Sequence, residues 1–524
     1  MKPGIASRAL SWSSALTLIA APAAAQLPSI NAPAGALRIE LGGAFFPTSE
    51  VWWDGMRQPL GTLIAPGNAL DGGADPLVAE VDARLSAILG ASAPANSLGR
   101  VSPIAEWQRG VGTIGLAYGV SRRITVFGSV PIVSVRTQVD LGIDSAGSTL
   151  GFNPSDPILG TTAGANQTAT FFAEFDQALS ELSTRVGRGD YAADPANEAR
   201  AQALLATAPG VRAMLFELLA DPQRSSPILP TAGSTSGMAL LGRVAAVRGA
   251  FNDDFGIGFT ASPALPTSPV TAEGFDALLD AGTAFGFTPR NGAPRVALGD
   301  VETGVLVEAF RREGERSMTA AWLRGAVRFP TGDAPDAGAL LDQGTGDGQT
   351  DIEVGATVEV MRGRIGLRVE GNYVRQLAGE LEARVGSPLQ ALLPARFRAA
   401  VSRDPGDIVA LTARPFFRMA ASLAIAGLVQ YERRGSDMFE YVDGQDPIVG
   451  ADVEALATGT RAAATRVGIG LSYSHDGRGR DGVLRMPVEA SFSVERTVAS
   501  SLGVVSAPTT SRVQFRIYKA IRRR

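Results

Sequence analysis

The chain has 524 residues with 48 basic and 52 acidic groups, 61 glycines, 32 prolines, one histidine and no cysteine. Lacking cysteine, it has no disulfides, thiolate metal sites or thiol nucleophiles, and the lone His475 leaves no room for a histidine-based zinc site. A net charge of −4 is too balanced for a nucleic-acid or polybasic membrane-surface binder, so no nucleic-acid partner is expected; no cofactor is expected either.

Residues 1–25 read as a secretory leader. Lys2 and Arg8 supply a positive start, Ala15 to Ala21 an apolar run, and Ala23-Ala24-Ala25 a small-residue cleavage site before Gln26. Its removal leaves 46 basic against 52 acidic groups, a net of −6. Beyond it, no uninterrupted apolar run approaches the roughly 20 residues of a spanning helix. The long uncharged stretch from Phe255 to Thr271 is broken by Pro263, Pro266 and Pro269. An exported chain of this kind is either soluble or crosses a membrane as a β-barrel.

Alternation with a two-residue period decides between these. Leu37 to Phe45 opens the series, with Arg38 and Glu40 on its polar face. From Asp351, the residues Ile352, Val354, Val358 and Val360 oppose Asp351, Glu353, Thr357 and Glu359. Ile365, Leu367, Val369 and Tyr373 oppose Arg368, Glu370 and Asn372. Met419 to Glu432, Arg466 to Tyr473 and Leu484 to Glu495 behave alike, and Tyr431 and Tyr473 end apolar faces where interfacial aromatics sit. Segments of about 9–13 residues match tilted transmembrane strands and exceed the 5–6 residues usual in soluble sheets. The fold class expected for residues 26–524 is therefore an all-β transmembrane antiparallel barrel of about twelve strands.

The connections alternate in length. Short polar links fall at 119–122, 311–316, 361–364 and 475–482, and long ones at 47–105, 140–298, 330–349, 375–406 and 433–460. With the N-terminus in the periplasm, the long ones become external loops. Leu77, Val81, Leu85 and Leu89 form a helical stripe in the first. Phe171, Phe175, Leu179, Leu182 and Val186 form another in the insertion 140–298, followed by Ala201 to Leu219 and Phe275 to Leu279. Such stripes mean helices packed on one another, or helices lining a ligand.

Candidate chemistry is sparse. Ser472-Tyr473-Ser474-His475-Asp476 holds the residue types of a hydrolytic triad, but neighbours on a strand point to opposite faces, and triads are defined in space. Asp342, Asp347 and Asp351 lie among glycines as calcium ligands can, without the EF-hand spacing; the same pattern serves ordinary turns. No glycine-rich phosphate loop joins a strand to a helix. No catalytic or metal residue is therefore assigned. The inward faces of three consecutive strands carry Arg324, Arg328, Asp351, Glu353, Glu359, Arg368 and Glu370. Either these pair and stiffen the barrel, or they shape the field along a solute path.

Three spans carry a family likeness: Tyr118 to Val126 followed by Val130-Pro131-Ile132; Gly299-Asp300-Val301; and Phe329-Pro330-Thr331-Gly332-Asp333 with Gly344-Thr345-Gly346 and Asp351. In order and spacing they resemble the meta-pathway phenol-degradation outer-membrane proteins, over residues 105–135 and 299–375. The resemblance implies a monomeric outer-membrane barrel, distantly akin to fatty-acid channels, that transports hydrophobic or aromatic compounds without catalytic residues. The insertion 140–298 exceeds that pattern, and the chain ends in three arginines rather than an aromatic residue. The expected partners are the outer-membrane bilayer and a small-molecule solute, and the expected function is passive uptake. A structural barrel presenting its external helices to a binding partner is the alternative, and a lipid-modifying barrel enzyme is the third reading.

Overall fold

The computed structural model describes residue 27 and residues 29–521 apart from 66, 68, 281, 289, 290, 389 and 476–485. The expected leader with its cleavage point after Ala25, Asp476 beside His475, most of the link 475–482, and the start of the strand expected from Leu484 lie outside the described residues.

Twelve strands close on themselves, each antiparallel to both neighbours. They are β1 (Ala36–Thr48), β2 (Ser97–Gly119), β3 (Ile124–Asp144), β4 (Val301–Gly314), β5 (Ser317–Phe329), β6 (Asp351–Arg362), β7 (Ile365–Gln376), β8 (Ile408–Arg418), β9 (Leu423–Arg434), β10 (Ala462–His475), β11 (Val488–Ser501) and β12 (Thr509–Ala520). The ring closes where Ala36 to Phe45 of β1 pair with Ala520 to Ser511 of β12. Closure satisfies every strand edge, which a sheet immersed in hydrocarbon requires.

Side-chain alternation sorts the two faces. Leu41, Ile114, Val126, Val358, Leu411 and Phe492 point outward and are exposed, an arrangement costly in water and natural in lipid. Aromatic side chains bound this belt at both levels: Phe45, Tyr373 and Tyr431 toward one end of the barrel, Phe310, Phe417 and Phe515 toward the other. No helix among the described residues is long and apolar enough to cross a membrane. The molecule is a transmembrane antiparallel barrel with helical loop insertions.

The described turns at one end have two to four residues, as at Glu315-Arg316 and Gly363-Arg364. The other end carries the long connections, whose helices are α1 (Pro76–Leu89), α2 (Thr162–Arg188), α3 (Pro195–Leu219), α4 (Thr235–Gly249) and α5 (Ala272–Leu279). Each starts at a side-chain cap: Asp75, Thr161, Asp194, Ser234 and Thr271 accept backbone N–H groups of the first turn. Their apolar stripes meet in one core with Phe171, Phe175, Phe251, Phe259 and Phe275 fully buried. The same core takes in Val101, Ala105, Val139 and Leu141, where β2 and β3 rise as a hairpin above the belt. The stripes thus serve helix packing in a cap over the loop end.

Some expected boundaries move. Residues 97–105 and 140–144 belong to β2 and β3 rather than to loops, because Gly99 at φ +108° and Pro103 interrupt the alternation that would have revealed them. Met419 to Ser422 is a turn, so the strand begins at Leu423. Helix α4, rich in glycine and alanine, shows too weak a stripe to be read from sequence. The connections 375–406 and 433–460 hold a further small sheet, in which Arg398–Asp404 pairs with both Gly379–Arg384 and Met438–Tyr441.

Candidate functional site

Period-two alternation turns the charged face of each strand into the lumen. There the seven residues singled out from sequence come together on β5, β6 and β7. Arg324 donates to Glu353 at 2.9 Å and meets Glu302 of β4 at 2.8 Å. Arg328 sits directly across from Asp351 and pairs with it at 2.9 Å, with Glu302 at 3.7 Å on its other side. Arg368 faces Glu359 in register, with Nε 2.6 Å from its carboxylate. Glu370 accepts from Arg414 of β8 at 3.1 Å. The chain of pairs continues around the wall through Arg466 and Glu432, Arg512 and Glu495, and Arg516 between Glu40 and Glu489. Mutual pairing, the first of the two readings of these charges, is thus what the geometry displays. In a low-dielectric wall each pair is costly to break from one side, because the partner is left buried and alone.

A cavity of about 640 Å³ lies inside this ring. Of the seven residues, Arg324, Arg368 and Glu370 line it, whereas Arg328, Asp351, Glu353 and Glu359 make their pairs away from its lining. Sequence reasoning did not select Glu302, Arg414, Arg512 or Arg516 as site residues, although each occupies an inward position of its strand. Strands β4, β8 and β12 carry weaker alternation, so their polar faces stood out less. Aromatic faces interleave with the charges: Arg324 stacks over Phe127 at 4.6 Å, and Arg512 over Phe46 at 5.2 Å. A cavity of this size, apolar surface with a few fixed polar groups, matches a small-molecule site. A second recess of about 410 Å³ lies toward the loop end, lined by Leu63, Pro388, Glu432, Arg466 and Val505.

At the turn end, residues 27 and 29–35 lie across the cavity. Leu27 packs against Met318, Met361 and Phe416 on one wall. The segment then crosses the mouth. Ser29 donates through its backbone N–H and its hydroxyl to Glu489, and its carbonyl accepts from Arg38 at 3.0 Å and Arg516 at 2.8 Å. Ala32 N–H donates to Thr125 Oγ1 at 3.0 Å. At Gly119 a Cβ would collide with the Pro33 carbonyl, so only glycine lets this strap lie against β2 before it enters β1. Sequence gave no sign of it, since residues 27–35 lack any periodic pattern.

The remaining candidates do not assemble. Along β10, His475 shares the face of Leu471 and Tyr473, opposite Ser472 and Ser474, so these residues form no triad. Asp342 pairs with Arg295 at 3.1 Å and Asp351 with Arg328. Among the described residues no three acidic or histidine side chains are placed to hold a metal ion. Of the spans that carried the family likeness, Gly299 to Val301 and Phe329 to Asp333 with Gly344 to Gly346 converge at the loop end, whereas Tyr118 to Val126 forms the β2–β3 turn at the other end. Thr331 donates to the Gly299 carbonyl at 2.7 Å, Gly332 N–H to Asp300 at 3.0 Å, and Arg109 to the Gly344 carbonyl at 3.0 Å. Gly332 and Gly346 pack backbone on backbone, where a side chain on Gly332 would strike Gly346 N.

No family model matches the chain, and no curated protein matches it. Among solved structures it is similar to an outer-membrane channel from Pseudomonas putida F1, at 8% identity over 94% of this chain and 99% of that one, with a TM-score of 0.40. A Pseudomonas aeruginosa FadL homologue gives 8% identity, 92% and 89% coverage and a TM-score of 0.24. The Pseudomonas putida toluene transporter TodX gives 9%, 92% and 88%, and 0.21. None reaches a TM-score of 0.5, so the barrel assignment rests on this chain's own closed strand pairing.

Proposed function

We propose that this protein is an outer-membrane channel for passive uptake of a small hydrophobic or aromatic molecule, exported with cleavage after Ala25 and acting as a monomer. The observation that carries the reading is the cavity inside the barrel, crossed at the turn end by a short strap that is not part of the wall. Passive uptake needs no residue chemistry on the solute; it needs a path, and a removable segment at one mouth supplies the step that completes it. The aromatic preference draws on Phe46, Phe127 and Trp322 among the lining residues and on the meta-pathway resemblance of the motif spans. The paired charges of the lumen, on this reading, keep the wall rigid and wetted while the aromatic faces meet the solute. With the turn end toward the periplasm, the strap is the inner door.

Liposomes containing the purified protein should admit a small aromatic such as phenol or toluene faster than empty liposomes. Equal rates would remove the channel reading. One observation favours a second reading, a barrel that displays its cap: the cap has its own core, built mainly from the first two long connections. Whole-cell binding that is unchanged by excision of 162–249 would exclude it as the main role. Binding lost with uptake unchanged would favour it.

A further inference from the structure

Charge is distributed unevenly between the two ends. The five long connections (49–96, 145–300, 330–350, 377–407 and 435–461) carry 35 acidic against 16 basic residues. The described turn end is the reverse. Arg122, Arg123, Arg312, Arg316, Arg362 and Arg364 are all exposed there, and none has a carboxylate within ion-pair distance among the described residues. Arg311, by contrast, is committed to Glu308 and Glu313. The arginines of the lumen ring described above are paired; among the described residues these six are not.

Their position is as informative as their charge. They lie on three successive turns, β2–β3, β4–β5 and β6–β7, which form one continuous arc of the rim. Beside them stand outward apolar side chains: Val120 and Ile124, Phe310, and Ile365, all exposed in the belt's last row. The turns are too short to lift the guanidiniums away from that row. Each cation therefore sits about where acyl chains give way to headgroups. Adjacent turns are separated by two strands, roughly 10 Å at the usual strand spacing, so the cations form a row rather than a point.

We propose that this rim is a binding surface for anionic phospholipids of the leaflet it faces, whose phosphates the six guanidiniums take by charge-assisted hydrogen bonds. A soluble polyanion would meet the cations only at the membrane surface, whereas lipid phosphates already lie at their depth and their acyl chains cover the neighbouring apolar row. The inference rests on the barrel spanning a membrane, and not on passage of any solute. Near an anionic surface each basic residue favours association by roughly fivefold, weakened by salt over a Debye length. The rim's function is then to fix the vertical position of the barrel and gather a selective annulus of lipid.

The test uses the full mature chain reconstituted in vesicles of equal phosphatidylcholine and phosphatidylglycerol, extracted gently, with bound lipid counted by native mass spectrometry. The wild type should retain phosphatidylglycerol severalfold over phosphatidylcholine, less so at high salt. A variant with all six arginines changed to glutamine should retain the two lipids about equally. Resistance of the variant to unfolding in cold detergent, read as a heat-dependent gel shift, shows that the barrel is intact. A control, Arg188→Gln with Arg200→Gln and Arg224→Gln on the cap, should behave as wild type. Equal retention by the wild type, or selectivity that survives in the six-fold variant, overturns the proposal. Heparin binding by the rim without phosphatidylglycerol selectivity would overturn it as well and point to a soluble partner.

Discussion

Glu489→Ala is the sharpest perturbation of the strap. Glu489 is buried at the turn end of β11, and its carboxylate accepts both the backbone N–H and the hydroxyl of Ser29. Hydrogen bonds to a charged acceptor contribute about 1.5–3 kcal/mol each, so losing both weakens strap docking by roughly 3 kcal/mol at the low end. At tenfold for every 1.4 kcal/mol, the released fraction should rise by about a hundredfold. Arg38 and Arg516 on the Ser29 carbonyl, Ala32 on Thr125 and the packing of Leu27 remain, while the Asn31 amide, buried without a hydrogen-bond partner among the described residues, opposes docking. Planar-bilayer recordings should show rare openings in the wild type and frequent ones in Glu489→Ala, with Glu489→Gln between them. The chain has no cysteine, so Ala32→Cys with Thr125→Cys can be cross-linked cleanly. The cross-link should hold the channel shut until reductant is added. If Glu489→Ala opens no more often than wild type, and protease reaches residues 27–33 no faster, the strap closes nothing and the reasoning fails.

Further outcomes follow from the same contacts. Asp75 is fully buried at the start of α1, and burial pushes its carboxyl up to about 7 against the backbone N–H groups of Leu77 and Val78. A raised acid favours the folded cap while protonated, so cap stability should fall as pH rises from about 4 to about 7. Hydrogen exchange at pH 5 and 8 should show this, and Asp75→Asn should flatten it while keeping the helix cap. Arg384 donates to the carbonyls of Ala337, Phe285 and Leu393 and stacks over Phe287 at 3.9 Å, tying three external connections together. Arg384→Ala should lower cap stability by about 3 kcal/mol and speed its proteolysis, with the heat-dependent gel shift of the barrel unchanged. Arg324→Ala leaves Glu302 and Glu353 in the lumen without their shared cation. Reversal potentials in a salt gradient should move toward cation selectivity, and no movement would show that these charges do not face the conducting path.

The barrel was legible because lipid on one side and charge on the other impose a strict period of two. That pattern is plain in β6 and β7, where every inward Asp, Glu or Arg opposes an outward Val, Ile or Leu. Where glycine or proline interrupts it, as at Gly99 and Pro103, strand was read as loop. The seven charged residues of β5, β6 and β7 were singled out by the same logic, and Arg324, Arg368 and Glu370 line the cavity, but their partners across neighbouring strands, such as Glu302 for Arg324, depend on register. Register is set by closure of the whole ring, which no single segment encodes. The strap was invisible for a related reason. Residues 27–33 have no face to bury except the one the finished barrel offers them.

The most direct test of the central claim is uptake of a small aromatic into liposomes by the Ala32→Cys, Thr125→Cys double variant, measured before and after reduction. A channel whose inner door is the strap predicts rates near those of empty liposomes while cross-linked, rising to the wild-type rate once reductant frees residues 27–33. Equal uptake in both states, or no uptake in either when the wild type is also silent, contradicts it.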